Sequence, residues 1–293
     1  MAISGRTTLM GLLGDPVSHS LSPAMHNAAL QQLGVDAVYL PFPCHSTNLN
    51  TVLKGLAAVG VRGLNVTIPH KQAVIEHLGH VSPVAAAIGA VNTLNWDPER
   101  GIWKGHNTDI EGFLAPLRRQ AESRWQSAQA VILGSGGAAR AAIQGCHQLG
   151  IPKIAVVGRD PDKLQSLGSS WPQLSLHFWT ELATLLPNTQ LVVNSTPIGM
   201  QGHDWGASPL STEQIQLTSP GTLFYDLIYT PNPTELLRQA DRLGYPTQDG
   251  LEMLIRQGAI ALAGWLHLTD GIPEEVVARM RRAAQEHLGL RVG

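Results

Sequence analysis

The stretch QAVILGSGGAARAAIQGCHQLG, residues 129–150, constrains this chain more than any other. It opens as an apolar run of strand character, breaks at glycines, and resumes with small, helix-forming residues. The run KIAVVGRD follows at residues 153–160 as a second strand. A strand, a glycine turn, a helix and a further strand in this order predict a parallel sheet with helices packed on it. Within the turn, Gly134, Gly136 and Ala139 fit the pattern G-x-G-x-x-A. The first glycine permits the tight turn, the second lets the backbone approach a pyrophosphate, and the alanine keeps the helix close to the sheet. The helix N-terminus then favours phosphate charge. The plainer reading is a tight turn that binds nothing. The strand before it and the helix after it favour a dinucleotide site.

The end of the second strand bears on which dinucleotide. In an NAD site an acid there usually bonds the ribose 2′-hydroxyl. Here the strand ends Gly158-Arg159-Asp160. Glycine leaves room for a 2′-phosphate, Arg159 could clamp it with two parallel hydrogen bonds, and Lys163 could add charge. Asp160 and Asp162 count the other way, since either could bond a bare ribose. The balance predicts NADP. For Arg159 the bland alternative is a solvated charge at a strand end.

The first half shows a β-α-β-α-β rhythm. TTLMGLLG, AVYLPFP and GLNVTI read as strands; SPAMHNAALQQLG, LNTVLKGLAAVG and HKQAVIEHLG read as helices. Ser22 is the expected N-cap of the first helix, with Pro23 at its first position and Gly34 closing it. A largely parallel sheet with helices on its faces follows. LVVNSTPIGM and TLFYDLIY add strands in the second half, and GLEMLIRQGAIALAGWLHL near the end is a helix apolar on most sides, hence buried or packed between domains. The fold class is α/β.

With 293 residues, 43% of them hydrophobic and 14% charged, the chain can bury the cores of two ordinary domains. A net charge of −2 and scattered Lys and Arg argue against a nucleic-acid partner. No apolar run is long enough for a membrane span, and the amino terminus does not read as a signal peptide. Cys44 and Cys146 lie far apart, fit no metal spacing, and read as reduced thiols of a cytoplasmic protein. The 12 histidines form no HExxH pattern, so no metal is expected.

NVTIPHK, residues 65–71, places a lysine just after a Pro-stiffened turn at a strand end. VSHSLSPAMHN sets Ser20 and Ser22 at a helix start, where hydroxyls and free N–H groups suit a carboxylate; simple capping would explain Ser22 as well. GAVNTL carries Asn92, and GHNTDIEG carries Asn107 and Asp109. Taken in order, SLSPxxHN, NVTIPHK, GAVNT, NTDxxG, GxGGAAR, NSTPxGM, the DxxY of 226–229 and the late GxxMLxxQ resemble the shikimate dehydrogenase family, from about residue 10 to 265.

The resemblance implies a substrate domain at 1–108 plus 250–293, a Rossmann NADP domain at 109–249, and final helices that return to the first domain. It implies NADPH-dependent reduction of 3-dehydroshikimate to shikimate in aromatic amino-acid synthesis, by a monomer or homodimer. Carried over by position, Ser20, Ser22, Thr67, Asn92, Tyr229 and Gln257 would hold the substrate, with Lys71 and Asp109 as the catalytic pair. Gly134, Ser135, Gly136, Gly137, Ala138, Arg159, Lys163, Thr196, Leu227 and Gly250 would line the cofactor. The family's N-R-T-x-x-R stretch stands here as G-R-D-P-D-K, which keeps Arg159 and a cation at 163. Two other readings are a quinate/shikimate dehydrogenase that prefers NAD, which Asp160 would suit, and a non-catalytic dinucleotide-sensing module, which would need neither Lys71 nor Asp109.

Overall fold

A computed structural model describes residues 3–290, apart from the Glu122 side chain. The chain divides into two units, one running to Thr108 and resuming at Ile255, the other spanning Asp109–Leu254.

The first unit begins β1 (Thr8–Gly14), α1 (Ser22–Leu33), β2 (Ala37–Pro43), α2 (Leu49–Ala58) and β3 (Val61–Val66). It continues with α3 (His70–Ala73), β4 (His80–Val81), α4 (Pro83–Ile88), β5 (Thr93–Asp97) and β6 (Ile102–His106). The sheet order is β2-β1-β3-β5-β6-β4. β1 lies parallel to β2 and β3, while β5 runs antiparallel to both β3 and β6. The rhythm of the first three strands is therefore parallel as expected, and a hairpin completes the sheet. Leu13, Leu53, Leu64, Val66, Leu94 and Trp103 form its core.

Two local expectations need correction. The first helix is not capped by Ser22. Leu21 is already in right-handed helical geometry (φ −77°, ψ −12°), so Ser22 is the first helical residue and no side chain caps the end. The Ser22 N–H instead donates to Ser20 Oγ at 3.2 Å. The helix expected over HKQAVIEHLG is only the single turn α3, followed by a 3₁₀ turn at Val74–His77. The chain leaves the helix early because the Gly79 N–H donates to the Trp103 carbonyl of β6 (3.1 Å), which starts the pairing of β4 with β6. Gly34 does close α1, in the left-handed region at φ 66°.

β2 is an edge strand, and its outward groups are covered. The Asn27 side chain of α1 donates to the Tyr39 carbonyl and accepts from the Tyr39 N–H, both at 2.9 Å. One amide thus stands in for a neighbouring strand, and Pro41 and Pro43 carry no N–H to offer. Behind it, His26 stacks on Tyr39 with ring centroids 4.2 Å apart. Burial holds the His26 imidazole down to about 3, with Asn65 nearby offsetting a smaller part. Neither ring nitrogen has a well-formed hydrogen bond, so the ring is neutral and packs as an apolar slab.

The second unit runs α5 (Asp109–Leu117), β7 (Gln129–Leu133), α6 (Gly137–Gln148), β8 (Lys153–Gly158), α7 (Pro161–Ser170) and β9 (Ser175–Phe178). There follow α8 (Leu182–Leu185), β10 (Leu191–Asn194), α9 (Thr212–Gln216), β11 (Leu223–Asp226), α10 (Glu235–Arg242) and β12 (Thr247–Gln248). The strands are parallel in the order β12-β11-β10-β7-β8-β9. Chain order reverses between β7 and β10, which is the Rossmann arrangement, and ligands bind outside the carboxyl ends of the strands at such a switch point. Val131, Leu133, Val157, Val192 and Phe224 fill the core.

The apolar helix α11 (Leu251–Leu266) and then α12 (Glu274–His287) end the described chain. Ile255, Leu262 and Trp265 are buried, as an all-round apolar helix requires. Trp265 donates to the Leu94 carbonyl at 3.0 Å and occupies the space that Gly63 leaves open. α12 packs on α1, and Arg256 grips Glu274 with two bonds of 2.7 Å. Among the described residues no helix is long and apolar enough to cross a membrane, and no cluster of three or more His, Cys, Asp or Glu could hold a metal ion.

Candidate active site

In the first unit, the carboxyl ends of the neighbouring strands β1 and β3 carry the candidates. A Cβ on Gly14 would strike the Thr67 methyl, so glycine is what lets these ends close together. The Thr67 N–H donates to the Leu13 carbonyl (2.9 Å) and the Asp15 N–H to the Ile68 carbonyl (3.0 Å). The loop bearing Ser20 and Ser22 and the turn bearing Thr67 and Lys71 therefore share one end of the sheet. A bond from the His70 N–H to the Thr67 carbonyl (2.9 Å) closes the turn over Pro69. His70 itself is buried, and its Nε2 donates to the Cys44 carbonyl at 2.7 Å, so it braces the adjacent loop. Lys71 comes next, half-buried, with its carbonyl accepting from the Val91 N–H (2.7 Å).

That last bond ties Lys71 to Val91, the residue before Asn92, which is the centre of a buried polar cluster. Asn92 Oδ1 accepts from the Thr108 N–H (2.8 Å) and from Thr93 Oγ1 (2.9 Å). Its Nδ2 donates to Thr108 Oγ1 (2.9 Å) and to Gln257 Oε1 of α11 (3.2 Å). Its carbonyl accepts from the Val66 N–H (2.7 Å) and from Asn65 Nδ2 (3.4 Å). Six of the expected substrate residues, Ser20, Ser22, Thr67, Lys71, Asn92 and Gln257, thus belong to one unit, and Asn92 and Gln257 touch. Asp109 and Tyr229 belong to the other: Asp109 is buried at the start of α5, directly after Thr108, and Tyr229 follows β11 half-buried.

The cofactor candidates line the carboxyl edge of the second sheet. Gly134 (φ 109°) has no room for a side chain, because a Cβ would sit 2.7 Å from Ser195 Oγ. At Gly136 a Cβ would meet nothing, so the backbone there is open to approach. Gly136 caps α6 without any side-chain bond, which leaves the first-turn N–H groups of Gly137, Ala138 and their neighbours for an anion. Leu227 follows β11, and a Cβ on Gly250 would collide with its carbonyl. Thr196 hangs from Asn194 by its N–H (3.0 Å) and hydroxyl (2.7 Å). The donor set fits a dinucleotide.

The acid at the end of β8 is occupied elsewhere. Asp160 Oδ1 accepts from the Asp162 and Lys163 N–H groups, both at 3.1 Å, which makes it the N-cap of α7. These bonds and the Lys163 ammonium, 3.6 Å from Oδ2, hold its carboxyl below the usual range. Lys163 is therefore turned partly toward Asp160, while Arg159 is exposed with no ion pair among the described residues.

A family model for the shikimate dehydrogenase substrate binding domain matches residues 12–94. The shikimate dehydrogenase (NADP(+)) of Trichormus variabilis is 51% identical over 294 residues, covering 98% of this chain and 99% of that one. The chain belongs to the shikimate dehydrogenase family. Two crystal structures of the family agree with the fold. A shikimate dehydrogenase in complex with NADP+ superposes with a TM-score of 0.85 at 32% identity, covering 98% of each chain. The enzyme of Thermus thermophilus, in complex with NADP(H) and shikimate, gives 0.82 at 36% identity over 96% of this chain and all of that one.

Sequence reasoning did not single out the residues that hold the candidates in place. Asn65, Thr93, Thr108, Asn194 and Asp226 are all buried and polar. The signal for Asn65 was present: an amide between Leu64 and Val66 on a strand needs a partner, and it finds the Tyr39 hydroxyl at 2.8 Å.

Proposed function

We infer that this chain is an NADP-dependent shikimate dehydrogenase, the oxidoreductase that interconverts 3-dehydroshikimate and shikimate in aromatic amino-acid biosynthesis. Full-length identity of 51% to a shikimate dehydrogenase (NADP(+)) carries this reading. The first unit is the substrate domain and the second is the NADP domain. Bound NADPH supplies the hydride for the ketone carbon. As that bond forms, negative charge gathers on the ketone oxygen, and Lys71 is the donor that stabilises and then protonates it. In the reverse direction the neutral Lys71 amine takes the hydroxyl proton. Asp109 is assigned as the second catalytic residue, with a carboxylate suited to accept from that hydroxyl.

Ser20, Ser22, Thr67, Asn92, Tyr229 and Gln257 are assigned to the carboxylate and remaining hydroxyls of the substrate. The neutral Asn92 cluster supports this: rigid amides and hydroxyls select a polyol by shape, because a wrong partner leaves buried groups unpaired. Arg159 is assigned to the 2′-phosphate. Asp160 is spent on capping α7, which counts against a ribose contact and against the NAD-preferring quinate reading. The test is absorbance at 340 nm with purified protein, NADP+ and either shikimate or quinate. Shikimate-dependent growth of the signal is expected, and turnover with quinate alone would overturn the assignment.

A further inference from the structure

We propose that Asp226 is a positioning residue that fixes the nicotinamide end of the cofactor site. The inference rests on the reading of Thr196 and Leu227 as cofactor-lining residues. Asp226 is the last residue of β11 and has no exposed surface. Its Oδ1 accepts from the Ile228 N–H (3.1 Å) and from Asn194 Nδ2 (3.0 Å). Its Oδ2 accepts from Thr234 Oγ1 at 2.8 Å. These partners come from three segments: the turn after β11, the end of β10, and the N-cap of α10.

Each partner passes the constraint on. Asn194 Oδ1 holds the N–H and hydroxyl of Thr196, and the Thr196 hydroxyl in turn accepts from the Ile198 N–H at 3.2 Å. The Asn194 carbonyl accepts from the Leu227 N–H at 3.0 Å. Thr234 Oγ1 also accepts from the Leu237 N–H (3.4 Å), starting α10. The Ile228 carbonyl takes the Gly250 N–H at 3.1 Å. One carboxylate therefore sets the loops that carry Thr196 and Leu227, on the β10–β11 side of the switch point. The glycine turn and Arg159 lie on the β7–β8 side, where the pyrophosphate and the adenosine 2′-phosphate are read.

A carboxylate is a costly choice for a purely structural joint. Burial pushes its carboxyl up to about 6, and the neighbouring Asp249 adds to the rise. Apolar replacements of buried charges are often neutral or stabilising, so an acid bonded to three segments here points to placement rather than stability. An acceptor for three bonds from three segments is what placement needs.

The test uses the full chain with Asp226→Ala and Asp226→Asn, and 2′,5′-ADP as a probe of the adenosine half alone. Asp226→Ala should lower kcat about 10- to 100-fold, the range for a reacting group displaced by about 1 Å, and leave 2′,5′-ADP affinity within about twofold. Asp226→Asn keeps an acceptor for Asn194 and Ile228 and should recover most of the loss. If Asp226→Ala does not fold, Thr234→Val removes one of the three bonds and should lower kcat several-fold with the probe unaffected. Unchanged kcat in these variants, or equal losses of probe and NADP+ affinity, would overturn the positioning role. A parent enzyme that does not bind 2′,5′-ADP would overturn the cofactor assignment itself, and this inference with it.

Discussion

The Asn92 cluster of the first unit and the glycine turn of the second handle their polar groups in opposite ways. In the first unit the amides and hydroxyls around Asn92 are buried and bonded to one another before any ligand arrives. In the second, the glycine turn offers backbone N–H groups and open space, and Arg159 stands exposed. A neutral, preorganised cluster discriminates by geometry and is intolerant of a single deletion. A dipole and an exposed charge attract an anion over distance and are weakened by salt. On the proposed assignments, the difference suits the first unit to selecting a small polyol and the second to holding a phosphorylated carrier.

The largest effect should come from Lys71, whose proposed role is on charge that appears only during reaction and so falls under neither mode. Lys71→Ala should reduce kcat by about 10²- to 10⁴-fold while KM for shikimate moves far less. Steady-state kinetics on a folded variant check it, and a near-parent kcat would remove Lys71 from the mechanism. Next comes Asn92→Ala. It strands Thr108, Thr93 and Gln257, so about 1–3 kcal/mol of stability should go. KM for shikimate should rise about tenfold, with KM for NADP+ unmoved. An equal rise in both constants would break the contrast between the units.

Acid should act through His26. Its folded value lies near 3 against an ordinary 6.5, so the unfolded chain takes up a proton first as pH falls. The contribution is complete above about pH 6.5 and is lost progressively toward pH 3. Between pH 7 and pH 5 this amounts to something on the order of 2 kcal/mol. His26→Phe, which keeps the stack on Tyr39, should flatten the fall in Tm over that range, and an unaltered pH dependence would contradict it. Smallest is Asn27→Ala, which uncovers the Tyr39 backbone at the sheet edge. About 1 kcal/mol should be lost, with a greater tendency to aggregate, measurable by denaturant titration and light scattering.

How much of this was legible in the sequence follows the same division. The strand–glycine turn–helix at 129–150 was readable because local chemistry dictates it: Gly134 must take a positive φ, and the flanking runs have distinct periods. The α1 and α11 helices were readable for the same reason. The hairpin of β5 and β6 and the early end of α3 were not, because both depend on partners far along the chain, as in the bond from Gly79 to Trp103. Lys71 and Asp109 were found as letters of a family pattern, while the bonds that place Thr196 and Leu227 run through Asn194 and Asp226, and only the folded sheet brings those two side by side. Asp160 is the instructive case. By sequence it was an acid in the position that reads ribose; by structure it caps the helix that follows.

Arg159, the residue beside Asp160, is the one proposed to read the 2′-phosphate. The most direct measurement is the ratio of kcat/KM for NADP+ over NAD+ with shikimate, in the parent and in Arg159→Ala. A charge-assisted bond to the 2′-phosphate contributes roughly 1.5–3 kcal/mol, so the parent should favour NADP+ and the variant should lose about ten- to a hundredfold of that ratio. KM for shikimate should stay put. An unchanged ratio would reduce Arg159 to a surface charge, and a parent that already prefers NAD+ would contradict the assignment of NADP.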